Sequence, residues 1–570
     1  MARSHETIAT RSRRWLWVLG LLAPALASSC QSGRVSTLDA GADAGLDGGP
    51  SGPDSGLDAG STSDAGDAGA DAGQTMPPGD GGDAGFDGGT AFDGGPGFDA
   101  GPPNACLPFS MPSADTLFAS NRKVFGHYFY PFPLSIDNNP PDVDYYNRNY
   151  LLQAGEHGAH WDAGGYLRSR PLGVADSGSP NWQVENQEKE IRMAMAAGIT
   201  GFTVDVLGPN QWDAGTQLQN LLLAATAVDS RFKIVVMPDL SALGPDAGVV
   251  DAIIESVASS PAAYHLPDGR LVVTSFDASL GSIAFWNQVF NDVSDAGIRV
   301  AFIPTFLGGT GSYDDFEPIS YGLSSWGTAT PVSSASEVTE PLQAHDAGEI
   351  SMLPVDPQQY RPKDLSYWEA GNSAAFRTSW QAAIDGGADW VQLVTWSDFS
   401  ESSQVEPATD LTLATDIGTG FYDLNAYYAA WFLTGQAPTL THDVIYYFYR
   451  REPTNAASPA QAAPTHLAVG GGTTVDNIEL VGALTAPGTL QITINGQTFT
   501  QDVPAGLTSF TIPLQPGRPQ FALRRDGGEV ISFEGGIDIV DAGGLDSGVA
   551  DFTYWSGSAS EAGVCNLIVP

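Results

Sequence analysis

Six carboxylates stand where short apolar runs end along the middle of this chain. Asp205 closes Gly201-Phe-Thr-Val-Asp205, and Asp239 follows Val236-Met-Pro. Asp277 follows Leu271–Ser275, Asp356 follows Ile350–Pro354, and Asp398 with Glu401 follows Val391–Trp396. Aromatic rings accompany them: His127, Tyr128 and Tyr130 at the first run, Trp326 at the sixth, Trp396 at the eighth. Rings of this kind stack on the C–H faces of a sugar and carboxylates bond its hydroxyls. Two carboxyl groups can supply the acid and base of glycoside hydrolysis. Any single acid among 66 Asp+Glu can be an ordinary loop carboxylate. It is the recurrence at run ends that points to a site.

Elements of a definite kind are needed to bring such residues together. The apolar runs Val124–Tyr130, Gly201–Val206, Phe232–Pro238, Leu271–Ser275, Val300–Pro304, Gly322–Trp326, Ile350–Pro354 and Val391–Trp396 read as strands. Helical periodicity separates most of them, most clearly over Gln187–Ala197, Gln217–Val228, Val249–Ser259, Ser282–Asn291 and Ala374–Ile384. A last helix is expected around Asn425–Leu433. Eight strand–helix alternations predict an α/β fold, a (β/α)8 TIM-type barrel, in which functional residues gather at the C-terminal ends of the strands. After Asn455 the helical signals stop. Asn477–Val481, Gly488–Ile494, Gln497–Thr500, Ser509–Leu514 and Phe521–Arg525 alternate with turn residues and predict a small all-β, sandwich-like domain.

Composition narrows the function classes. The chain has 570 residues and a formal net charge of −42. That balance excludes a nucleic-acid binder, which needs a basic face. Arg11, Arg13 and Arg14 precede an apolar run from Trp15 to Leu26 and then Ala27-Ser-Ser-Cys30, the layout of an export signal. The apolar run is too short for an ordinary transmembrane helix. Cys30 sits where a lipoprotein signal places its lipidated Cys, so a membrane is expected only as an N-terminal anchor. Ser12-Arg13-Arg14 also resembles a twin-arginine signal, and the route of export stays open. From Leu38 to Gly101 the Asp-Ala-Gly and Asp-Gly-Gly units cannot bury a core and read as a solvated spacer. The expected organisation is a signal over 1–30, a linker over 31–105, a catalytic barrel over 106–454 and a β-domain over 455–570. In an oxidising compartment Cys106 and Cys565, flanking the folded part, are expected to form a disulfide.

Other chemistries find little support. Glu156-His157…His160 has a metal-like spacing without a third ligand, and Gly470–Gly472 lacks the Lys of a phosphate loop. No Gly-x-Ser-x-Gly elbow and no Cys-x-x-Cys occurs. Neither a metal nor a cofactor is expected.

The eighth run carries a specific resemblance. Trp390-Val-Gln-Leu-Val-Thr-Trp-Ser-Asp398-Phe-Ser-Glu401-Ser resembles the Thr-Trp-Asn-Asp-Tyr-Gly-Glu-Ser signature of glycoside hydrolase family 71, the α-1,3-glucanases or mutanases. Val124-Phe-Gly-His127-Tyr resembles the family's opening strand, and Met352-Leu-Pro-Val-Asp-Pro357 its Met-Pro-Val-Ser-Pro. Ser325-Trp326, Asp268–Phe276 and Asp443–Arg450 are similar to further family segments. The resemblance implies that Asp398 and Glu401 are the catalytic pair; Glu401 is assigned as general acid and Asp398 as base, and the two roles can be exchanged because sequence does not fix which carboxyl is the more desolvated. It also implies inversion, endo action on α-1,3-glucan and no cofactor. Residues three apart reach at most roughly 10 Å between Cα atoms. Either the ~5 Å retaining or the ~6.5–9.5 Å inverting separation is therefore open. His127, Tyr128, Tyr130, Asp205, Asp239, Asp277, Trp326 and Trp396 are the expected sugar contacts of a monomeric enzyme. The sequence departs from the signature at Ser397 (Asn in the family), Ser400 (Gly) and Gln404-Val405 (Tyr-Ile). Those departures keep two alternatives open: a hydrolase of another α-glycan such as α-mannan, or a surface glycan-binding lipoprotein without activity.

Overall fold

In the computed structural model, the described residues are 107–129, 167–175, 177–208, 216–362, 366–410, 415–456, 467–470, 472–541 and 551–565. Eight parallel strands form a closed barrel: β1 (Lys123–Tyr128), β2 (Gly201–Val206), β3 (Lys233–Pro238), β4 (Leu271–Ser275), β5 (Val300–Phe306), β6 (Gly322–Ser325), β7 (Ile350–Val355) and β8 (Trp390–Leu393). Each pairs with its neighbours in sequence. β1 closes the ring on β8, with Lys123 opposite Trp390 and Gly126 opposite Leu393. All eight expected strands and the expected (β/α)8 architecture are present.

The barrel strands are largely apolar because both faces are buried. Side chains alternate, so two separate cores result. Outward-facing Val124, Phe202, Val204, Ile234, Val236, Val273, Leu323, Leu353, Val391 and Leu393 pack beneath the helices. Inward-facing Phe125, Val235, Val272, Ala301, Ile303, Met352 and Trp390 fill the lumen. The covering helices are α1 (Trp182–Ala196), α2 (Thr216–Val228), α3 (Ala247–Ala258), α4 (Ile283–Asp295), α5 (Glu340–Asp346), α6 (Ala374–Gly386) and α7 (Gly420–Thr434). α3 and α4 start at side-chain caps from Asp246 and Ser282, each accepting from a backbone N–H that has no intrahelical partner. Among the described residues no helix is long and apolar enough to cross a membrane.

The C-terminal part is two antiparallel sheets. One contains β9 (Val444–Arg450), β10 (Asn477–Leu484), β13 (Gly506–Pro513), β16 (Tyr554–Ser560) and β17 (Gly563–Val564), in the order β13-β10-β9-β16-β17. The other contains β11 (Gly488–Ile494), β12 (Gln497–Val503), β14 (Gln520–Arg525) and β15 (Gly528–Glu534), in the order β12-β11-β14-β15. β9 lies on the barrel side of the break expected after residue 454, yet it is the middle strand of the five-stranded sheet. Its run Val-Ile-Tyr-Tyr-Phe-Tyr-Arg is buried at every position, so it shows none of the alternation that marks a strand with one wet face. Ile445, Tyr447 and Tyr449 face the sandwich core. Val444, Tyr446 and Phe448 join the outer core of the barrel.

The junction is therefore a packed interface. The Phe448 and Phe421 rings lie 4.9 Å apart, Gly420 N donates to Ser556 Oγ at 3.0 Å, and Arg377 pairs with Glu479 at 2.7 Å. Phe448→Ala should destabilise the whole described fold by ~3–4 kcal/mol. Barrel and β-domain should still unfold in one transition, read by far-ultraviolet circular dichroism and tryptophan fluorescence. Two separated transitions would contradict a shared core.

Candidate functional site

The C-terminal mouth of the barrel is built by alternate, inward-facing positions one step beyond the apolar lumen. On β1 Phe125 fills the lumen and His127 follows it. On β2 Thr203 is followed by Asp205, and on β3 Val235 and Met237 lead to Asp239. His127, Asp205 and Asp239 are all buried. His127 Nε2 lies 3.9 Å from Asp205 Oδ2, and its ring meets Trp326 edge-on at 4.7 Å. Burial pushes His127 down to about 3, so the imidazole is neutral at ordinary pH and the contact with Asp205 is no ion pair. Trp326 is held on its other side by Phe276, again edge-on at 4.7 Å. Gly327 follows at φ 83°, where a Cβ would meet Asp356 Oδ2 at 2.4 Å. Only glycine passes here.

Past Leu393 the chain leaves β8 and folds back on itself. Thr395 N donates to Ser403 O at 2.9 Å, and Val405 N to Thr395 O at 3.0 Å. Asp398 lies in the turn. Its Oδ1 accepts from Ser400 N at 2.9 Å, Ser400 Oγ at 2.8 Å and Glu401 N at 3.1 Å. Glu401 is gripped by another segment. Its Oε1 pairs with Arg361 Nη2 at 2.7 Å, its Oε2 accepts from Gln359 Nε2 at 2.5 Å, and its backbone O accepts from Tyr360 N at 2.8 Å. Both acids are buried.

Asp205 is the meeting point of the charges. Burial raises its carboxyl well above the ordinary value, and Asp239, Asp398 and Glu401 raise it further. Asp239 is pushed up to about 6, chiefly by burial, with Asp277 adding to the rise. Bonds from Ser241 and Ala242 at the start of a short helix oppose it. Asp277 is half-buried, in the left-handed region at φ 45°, and accepts from Ser279 Oγ at 2.6 Å. A second acid group lies at β6 and β7. Asp356 is raised by burial and Glu340, and Glu337 rises to about 9 by burial, Asp356 and Glu340.

Thus His127, Trp326, Asp205, Asp239, Asp398 and Glu401 gather at one mouth, with Asp277 beside Asp239. Two expected sugar contacts belong elsewhere. Tyr128 is adjacent to His127 on a strand and so points outward. Its ring packs on Phe202 and its hydroxyl donates to Glu190 at 2.5 Å. Trp396 has no exposed surface and packs with Phe202 and Tyr422 in the outer core, against Gly126, where a Cβ would come within 3.0 Å of it. A sugar cannot reach either ring. Tyr130, Cys30, Cys106, Glu156, His157 and His160 lie outside the described residues, while Cys565 N donates to Ser558 O beside β17. Gln359 and Arg361 escape the sequence reading because they lie in a strand of only three residues past β7. A signal existed: cations are scarce at 24 Lys+Arg, so an Arg shortly after a strand end is conspicuous.

A closed (β/α)8 barrel whose mouth collects carboxyl groups beside aromatic rings has the build of a glycoside hydrolase. Residues 177–567 match the model of glycosyl hydrolase family 71, and the chain belongs to that family. The glucan endo-1,3-alpha-glucosidase of Schizosaccharomyces pombe is 25% identical over 383 residues, covering 63% of this chain and 88% of that protein. A mutanase of Penicillium rubens is 22% identical over 383 residues, covering 64% of this chain and 83% of that protein. Among solved structures, the GH99 endo-alpha-mannosidase from Bacteroides thetaiotaomicron aligns over 54% of this chain and 97% of its own, with 18% identity and a TM-score of 0.41.

Two tests follow from the placements. Trp396→Ala should cost ~3–5 kcal/mol of stability as a core truncation. Trp326→Ala should cost less and weaken oligosaccharide binding by roughly 1–3 kcal/mol, taking base-on-aromatic stacking as the scale. Thermal melts and titrations separate them, and a stable Trp396→Ala would return that ring to the site. The second concerns Asp239. Its folded value near 6 exceeds the ordinary unfolded value. The folded state therefore keeps a proton that the unfolded chain has released, and stability falls as pH rises from about 4 to about 6. Asp239→Asn keeps the helix cap and removes this loss. Urea unfolding at pH 4 and pH 8 should show it gaining on the parent by roughly 2–3 kcal/mol across the interval. Parallel pH profiles would contradict the assignment.

Proposed function

We propose that this glycoside hydrolase cleaves α-1,3-glucan, endo-acting and with inversion, after export to the cell surface or periplasm. The observation that carries the reading is the pair Asp398 and Glu401, buried three residues apart on one turn at the barrel mouth and close to Asp205. The names of the two relatives support the linkage. Export, lipidation at Cys30 and a Cys106–Cys565 disulfide are part of the proposal and rest on the sequence.

Glu401 and Asp398 supply the acid and the base, Glu401 as general acid and Asp398 as the base that activates water, with the two roles exchangeable. Donors hold both carboxyl groups: Arg361 Nη2 lies 2.7 Å from Glu401 Oε1, and the Ser400 N–H, the Ser400 hydroxyl and the Glu401 N–H bond Asp398 Oδ1. Asp205 and Asp239 bond sugar hydroxyls, and the Trp326 ring offers an apolar face.

Asp398→Asn and Glu401→Gln should each lower turnover by at least ~10³ with circular dichroism unchanged, at the upper end of what proton transfer contributes. The substrate panel is α-1,3-glucan, other α-glucans and α-mannan, with the anomer of the first product followed by nuclear magnetic resonance. Hydrolysis of α-mannan alone would overturn the linkage. Sugar binding without hydrolysis of any polymer would overturn the enzymatic reading.

A further inference from the structure

We propose that Gln359 and Arg361 are positioning residues for Glu401, and that the C-terminal β-domain holds them in place. The inference rests on the reading that Glu401 acts in hydrolysis. Three consecutive residues grip this one acid: Gln359 on Oε2, Tyr360 N–H on the backbone carbonyl and Arg361 on Oε1. The carboxylate plane and its backbone are fixed together, which a single bond could not do. The turn that carries Glu401 supplies donors to Asp398 instead, so the orientation of Glu401 comes from outside its own loop.

The gripping segment Gln359–Arg361 is itself backed by the β-domain. It pairs antiparallel with Ser366–Trp368, which pairs in turn with Leu467–Val469. The Tyr360 ring lies 5.6 Å from Phe552, and the Tyr367 ring meets the same Phe552 edge-on at 5.3 Å. Gln358 Oε1 accepts from Tyr554 N at 2.8 Å. Glu369, just past the second strand, accepts from Tyr554 at 2.7 Å and pairs with Arg450 of β9 at 3.0 Å. The Arg361 guanidinium rests over the Trp368 ring at 5.0 Å. A chain of packed rings and buried ion pairs thus runs from β9 and β16 to a carboxylate at the barrel mouth. Arg rather than Lys suits this place, because a planar fork on an aromatic face has its orientation set before it meets the carboxylate.

The test is steady-state kinetics on the polymer that the parent enzyme hydrolyses, with melting temperatures for every variant. Arg361→Met should lower kcat by ~10²-fold, the scale of a misplacement of about 1 Å, with KM within threefold of the parent. Arg361→Lys should recover part of that loss. Gln359→Leu should lower kcat less, and Phe552→Leu, remote from any sugar, should lower kcat with KM unchanged. Should Arg361→Met fail to fold, Arg361→Lys and Gln359→Leu decide the matter. Unchanged kcat in folded Arg361 and Gln359 variants overturns the positioning role. A raised KM at parental kcat also overturns it, since that marks direct substrate binding. Unchanged kcat in Phe552→Leu overturns the part given to the β-domain. Glu401→Gln in the same assay separates the two proposals. If it stays active, the catalytic assignment has failed. If it is inactive while Arg361→Met is fully active, only the positioning inference has.

Discussion

Closing eight parallel strands into a cylinder obliges every second side chain to enter a packed lumen. In this chain the lumen is filled from Trp390 and Phe125 to Met352 and Ile303 by apolar groups. The same alternation, carried one step further, sets His127, Asp205, Asp239 and Trp326 around the rim. Position at the mouth is thus a consequence of strand parity, and burial of the acids is a consequence of position. The outer core obeys the complementary parity, which is why Tyr128 and Phe202 lie under the helices.

Burial of several carboxyl groups in one small volume is unfavourable unless each is dealt with. The structure treats each acid differently. Asp205 is pushed toward its protonated form by burial and its neighbours. Asp239 caps a short helix and receives backbone donors. Asp398 is bonded by its own turn, and Glu401 by an arginine and a glutamine from another segment. Groups of one chemical kind are thereby made unequal, which acid–base chemistry requires of a pair. A net charge of −42 makes the Arg361 partnership all the more consequential, because few cations are available to offset this crowd.

The barrel was legible because most of its strands are short, largely apolar runs and most are followed by a helical period. The strand-end acids were legible for the same reason. Tyr128 was misread by attending to the strand end and not to the side: consecutive residues His127 and Tyr128 cannot both face the lumen. Trp396 was misread because β8 stops at Leu393 and the chain turns, so Trp396 does not stand at a strand end. β9 was placed with the barrel because burial of both its faces removed the alternation that separates domains. The grip of Gln359 and Arg361 on Glu401 left no local pattern beyond one conspicuous Arg after a strand end. It is created by long-range closure of a loop against the β-domain.

Two departures from the family signature, Ser397 and Ser400, fall at hydrogen bonds and not at the acids. Ser397 Oγ accepts from Phe129 N and donates to Phe129 O, both at 3.1 Å, tying the β8 turn to the end of β1 across the seam where the barrel closes. An amide at that place has a donor and an acceptor too, so Ser for Asn preserves the connection with a shorter side chain. Ser400 keeps the backbone N–H that a glycine would offer Asp398 and adds its hydroxyl as a further donor. That extra bond helps fix the orientation of the Asp398 carboxyl group. The substitutions therefore alter how the two acids are held while leaving both carboxyl groups in place.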